Sequence, residues 1–132
     1  MNYKQVIIDA LFDANVKPFF AQHIFRKMQE AKKVNYDTLE FFTGCTKAIE
    51  ALEGEFIGQL NDVLVRMEDQ LEICRKKGSE KAAKRIQEQR DFITEDNFQM
   101  QITGYGRLLK YDIDLARRGV ADAIELAKGD IR

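Results

Sequence analysis

Residues 42–74 read FTGCTKAIEALEGEFIGQLNDVLVRMEDQLEIC, and this stretch decides the fold. Its apolar positions Phe42, Cys45, Ile49, Leu52, Phe56, Leu60, Val63, Met67, Leu71 and Cys74 are separated by three or four residues throughout. The mean step is about 3.6, the period of an α-helix, so one face of a single long helix carries them all. The run ends in Arg75-Lys76-Lys77-Gly78, cations suited to the negative end of a helix dipole followed by a glycine that stops the helix. At the other end, Asp37 with Glu40 three positions on resembles a capping box. The spacing predicts a helix over 37–77.

Towards the N-terminus, Tyr3, Val6, Ile7, Ala10, Leu11 and Ala14 mark one face of a short helix. Asn15-Val16-Lys17 interrupts it, and Pro18 is placed to open a second, at the position where its missing N–H is not needed. Two short helices are expected within 1–36. Towards the C-terminus, Ser79 is placed to cap a further helix. Ile86, Ile93, Phe98, Ile102, Tyr105, Leu109, Ile113, Ala116, Val120, Ile124 and Ala127 continue the stripe, predicting a helix over 79–128. Thr103-Gly104-Tyr105-Gly106 is its weak point, because each glycine costs about 1 kcal/mol relative to alanine.

The expectation is therefore an all-α chain, one domain over 1–132. It takes the form of an elongated up-and-down helical bundle: a long antiparallel hairpin plus two shorter N-terminal helices. Facing residues across a hairpin closed at Gly78 have numbers summing to about 157. That rule sets Gly54 and Gly58 beside Gly104 and Gly106, as a close helix crossing or a ligand level. It also faces Glu72 with Arg85, Arg66 with Asp91, and Asp62 with Glu95. Six of the nine phenylalanines fall in the first 42 residues, which predicts the multi-helix core at the open end of the hairpin and a two-helix arm beyond it.

Along that arm the apolar face widens to Phe56, Ile57, Leu60, Val63, Leu64, Met67 and Leu71. A two-helix seam needs a narrower stripe, and each such side chain left in water forgoes about 1.5–3 kcal/mol. These seven residues are the expected oligomer interface, of a homodimer or with a helical protein partner.

Charge is uneven. Residues 37–72 carry nine acidic and two basic side chains, and residues 73–90 carry seven basic and two acidic, within a chain of net charge −1. Arg75, Lys76, Lys77, Lys81, Lys84 and Arg85 form a candidate anion- or nucleic-acid-binding tip. No aromatic side chain interleaves them, so nucleic acid is the second reading.

Nothing in the sequence argues for catalysis, a metal or a cofactor. His23 has no Glu three residues before it, as a di-iron helix motif requires. Cys45, Cys74 and His23 are too dispersed for a zinc cluster. A Cys45–His23 nucleophilic pair is weighed against an inert core cysteine, and the core reading is preferred. The carboxylate pairs Glu53/Glu55, Glu68/Asp69, Glu95/Asp96 and Asp112/Asp114 point around their helices into water. Cys45 and Cys74 lie roughly 43 Å apart on one helix and cannot pair, and free thiols suggest the cytoplasm. No stretch is long and apolar enough for a membrane span. The functional expectation is a non-catalytic interaction or scaffold protein. A nucleic-acid-associated or regulatory protein is the alternative, and a small-molecule-binding bundle with a pocket among the Phe-rich helices is the third.

Overall fold

A computed structural model describes residues 2–31 and 39–131, and it is mostly helical. Among these residues the elements run α1 (Tyr3–Asp13), α2 (Pro18–Ala31), α3 (Glu40–Lys76), α4 (Glu80–Phe92), β1 (Met100–Ile102), β2 (Gly106–Leu108) and α5 (Lys110–Ile131). The Asp37–Glu40 capping box falls partly outside the described residues.

Local chemistry sets most of the boundaries. The Asn2 carboxamide accepts from the Gln5 N–H at 3.2 Å and caps α1. Its C-terminus closes with Asn15 at φ 63°, Asn15 N–H on Phe12 C=O and Val16 N–H on Leu11 C=O. That is the paired bonding of a Schellman motif, and it buries Val16 and Leu11 together with the core. Pro18 does open α2. Gly78, φ 72°, ends α3 with the same pair of bonds, from Gly78 to Arg75 and from Ser79 to Cys74. Ser79 stands at the N-cap of α4, but its side chain makes no capping bond.

The second long helix expected over 79–128 does not form. After α4 the chain turns at Thr94-Glu95-Asp96-Asn97, runs a short antiparallel hairpin, and starts again as α5. Thr94 and Asn97 hold the turn reciprocally: the Thr94 N–H donates to Asn97 Oδ1 at 2.9 Å, and the Asn97 N–H to Thr94 Oγ1 at 3.3 Å. Asn97 Nδ2 also donates to the Phe92 carbonyl at 2.6 Å, capping the end of α4. These side chains give the backbone an alternative to the helical ladder. Met100, Ile102 and Leu108 are buried while Gln101 and Arg107 are exposed, the alternation of a half-buried hairpin. Gly104, φ 79°, is the third residue of the turn closed by Tyr105 N–H on Ile102 C=O, where positive φ excludes most side chains. The outward-facing N–H and C=O of Gln101 are both taken by the Gln59 carboxamide, at 3.0 and 2.9 Å, which ties β1 to α3.

Breaking the helix shifts the pairing across the hairpin. Near the tip Arg90 meets Glu68 at 3.4 Å, as a simple hairpin requires. At Glu53 the residue opposite is Arg117, about a dozen positions beyond the continuous-helix expectation. No ion pair joins Glu72 to Arg85 or Arg66 to Asp91 among the described residues. Glu72 pairs with Lys76, Asp91 accepts from Gln87, and Glu95 pairs with Lys110.

Gly54 and Gly58 do not meet Gly104 and Gly106. A methyl group on either helical glycine would point into open space. The close crossing lies elsewhere, at Gly119 of α5. An added Cβ there would stand 3.1 Å from Leu11 and 3.3 Å from Ala10 C=O and Ala14 Cβ on α1. Ala116, Ala123 and Ala127 continue this small-residue seam, all of them buried.

One core cluster holds the body together. It joins α1, α2, the first half of α3, the β-hairpin and α5, with Phe20, Phe41, Leu52, Phe56, Met100 and Ile113 nearly inaccessible. Twenty-four described apolar residues are buried, and only Leu60 and Leu71 stand outside that cluster, both in the second half of α3. Beyond Leu60 the molecule is a two-helix arm of α3 and α4, and α4 contributes no fully buried side chain.

Candidate interaction site

The structure divides the seven residues of the expected interface into two groups. Phe56, Leu60 and Leu71 are buried within the chain itself. Phe56 lies under Phe98 of the turn after α4, rings edge to face at 5.4 Å. The covering element is the broken segment that the reading of a continuous helix left out. Ile57 remains 42% exposed, and Val63, Leu64 and Met67 are half-buried. Two residues outside that reading join them: Phe92 of α4 is 75% exposed, and Ile93 after it is half-buried.

Met67, Phe92 and Ile93, with Glu88 and Gln89 at the rim, line an apolar groove open to solvent. A second groove, lined by Gln59, Asp62, Val63, Arg66 and Phe98, begins one turn further down α3. Sequence periodicity recorded only the width of the stripe on α3; Phe92 carried no signal, because it is out of phase with the inward positions of α4.

At the tip, two of the seven cations have partners: Lys76 with Glu72 at 3.3 Å, and Arg90 with Glu68. Arg75, Lys77, Lys81, Lys84 and Arg85 make no ion pair or side-chain hydrogen bond among the described residues. Lys81, Lys84 and Arg85 lie on the outer face of α4, spaced so that their charges are carried together on one side.

Elsewhere, the candidate nucleophile and base are not brought together. The Cys45 thiol lies 3.4 Å from the Met28 sulfur, and burial pushes its pKa up to about 12, so it is held as the unreactive thiol. His23 instead packs against Tyr105, ring centroids 5.1 Å apart, with Nδ1 buried and unpartnered. Burial, the largest influence, lowers the His23 pKa; Lys27 and Arg26 lower it further, while Glu55 and Glu30 oppose them. Arg26 donates to Tyr105 Oη at 2.5 Å, and this bond raises the arginine's already high pKa. Lys27 pairs with Glu55, and Arg117 with Glu53 and Asp114. These contacts tie α2 and α5 to α3. Among the described residues no group of three or more His, Cys, Asp or Glu side chains could hold a metal ion.

In the Phe-rich region the aromatic rings fill the space between helices. Phe25 stacks on Phe41 at 6.1 Å, and Tyr3 meets Phe42 edge-on at 5.1 Å. Tyr111 is 65% exposed. No described helix is long and apolar enough to cross a membrane. Comparison with protein-family models, with curated proteins and with solved structures finds no match.

Proposed function

We propose that this is a non-catalytic, cytoplasmic interaction protein, an elongated helical bundle whose body is a scaffold and whose two-helix arm is the binding element. One observation carries the reading: the body closes its core within the chain, while the arm leaves Met67, Phe92 and Ile93 along one open groove. An open apolar groove between two helices is a usual mark of a helix-on-helix docking face. Replacing Phe92 by a photo-crosslinking amino acid in the full chain, inside the cells it comes from, tests it. Irradiation is expected to yield a discrete product containing the chain and a protein partner. Absence of any product, with the same residue at exposed Phe12 as control, would contradict the reading.

A second reading has its own observation, the five cations at the tip that make no ion pair among the described residues. Their contact with a nucleic-acid duplex would release counterions, and log K would fall with log salt at a slope of at most about −4.5. Binding of an oligonucleotide that survives in a Lys77→Glu/Lys81→Glu/Lys84→Glu chain would remove the tip from consideration.

A further inference from the structure

We infer that Ser79, in the turn between α3 and α4, is a phosphorylation site for a serine kinase that selects basic substrates. Ser79 does not line the apolar groove, and its modification does not depend on what occupies that groove. It is the only serine in the chain. It is exposed, and although it stands at the N-cap of α4 its side chain makes no capping bond. A hydroxyl in that position ordinarily accepts from a first-turn N–H. Here the N–H groups of Lys81 and Ala82 have no acceptor among the described residues.

The surroundings of the hydroxyl are cationic. Arg75, Lys76 and Lys77 precede it, and Lys81 follows two positions on. A kinase that chooses substrates electrostatically lines its peptide cleft with carboxylates, which attract flanking Arg and Lys. Arg75, Lys77 and Lys81 make no ion pair among the described residues, and Lys76 is held only by exposed Glu72. No threonine competes, because none has a cation among the three residues before it. The Thr46 hydroxyl donates to the Phe42 carbonyl, and Thr94 Oγ1 accepts from the Asn97 N–H.

The turn can also enter a cleft. Straightening the backbone around Ser79 breaks the bonds from Gly78 to Arg75 and from Ser79 to Cys74. The core does not oppose this, since residues 75–82 are all exposed and α4 buries no side chain fully. Segments of this kind open at low free energy. Ser79 Oγ then attacks the γ-phosphorus of ATP. The new O–P bond forms as the bond to the β–γ bridging oxygen breaks, ADP leaves, and the hydroxyl proton passes to the kinase's catalytic carboxylate.

The product carries about −1.5 to −2 charge at pH 7, placed among Lys76, Lys77 and Lys81 and beside the unbonded N–H groups of Lys81 and Ala82. Lys81, Lys84 and Arg85 stand in the first turns of α4, where the helix dipole opposes cations, and a phosphate at the N-cap offsets that conflict. Modification therefore stiffens the start of α4 and lowers the pull of the tip on any other anion.

Phosphate incorporation tests the site. The folded full chain, given ATP and a basophilic serine kinase, is expected to take up one phosphate, located at Ser79 by fragmentation mass spectrometry. Ser79→Ala should abolish uptake, and Lys76→Glu/Lys77→Glu should slow it at least about tenfold. All three side chains are exposed, so the melting temperature should hold in both variants. Phosphate on a threonine, uptake by the denatured chain alone, or a rate indifferent to the charge reversal would each overturn the inference. The chain isolated from its own cells with phosphatases inhibited is expected to carry the same modification, and Ser79 found wholly unmodified there would also overturn it. On the phosphorylated chain, amide exchange at Lys81 and Ala82 should slow at least about threefold, and unchanged exchange would overturn the stiffening. The Phe92 crosslink reads the docking groove separately, so either result can fail while the other stands.

Discussion

The body and the arm are built from the same long helix, yet α3 lives two different lives along its length. From Phe41 to Phe56 it carries Phe42, Cys45, Ala48, Ile49 and Leu52 into a core shared by five other elements. From Asn61 to Lys76 only Leu71 reaches comparable burial, against a single partner helix. The periodicity is unbroken across the boundary, so helical pattern and depth of core are separate properties. A stripe says which side of a helix is apolar; the number of elements around it decides how much of that side leaves water.

The contrast is broken most forcefully by truncating matched positions. Phe20→Ala in the body should cost about 3–5 kcal/mol and lower the melting temperature of the whole chain, read by calorimetry or circular dichroism. Leu71→Ala is equally buried, but the arm can open without the body. Its effect on the global transition should be much smaller and should show as faster local amide exchange in α4. Equal shifts from the two would merge arm and body into one cooperative unit.

Glycine positions give the next largest effect. Gly119→Ala forces α1 and α5 apart against Leu11 and the Ala10 carbonyl, and should destabilise by about 1–3 kcal/mol. Gly54→Ala and Gly58→Ala fill open space on an exposed helical face and should each stabilise by about 0.5–1 kcal/mol. Denaturant midpoints distinguish the signs directly.

The smallest stability effect concerns pH. The folded state holds the His23 pKa below 6.5, so below that value the unfolded chain takes up the proton more readily. The His23 contribution is complete above pH 6.5 and is lost as pH falls towards the lowered folded-state value. His23→Gln should flatten this part of the stability–pH curve; an unchanged slope would assign it to carboxylates. With no stability change at all, a thiol reagent on the native protein should label Cys74 rapidly, and Cys45 only on unfolding.

Much of this architecture was legible in the sequence: the α3 stripe, the stop at Gly78, the opening of α2 at Pro18, and the crowding of phenylalanine into the first 42 residues. The break in the second long helix was legible too, but was outweighed. The step from Ile93 to Phe98 is five residues, a slip in phase, and it spans Thr94-Glu95-Asp96-Asn97, residues whose side chains compete for backbone hydrogen bonds. Met100, Gln101 and Ile102 already alternate, and two glycines follow within four residues. Three weak signals of one event lost to a long stripe that resumes after it. The seam at Gly119 and the exposure of Phe92 lay beyond periodicity, because each depends on which helices become neighbours.

Hydrogen exchange on the full chain tests the central claim most directly. The amides of α4 and of α3 beyond Leu60 should exchange far faster than those of α1, α5 and the first half of α3. Arm protection equal to that of the body would contradict the account.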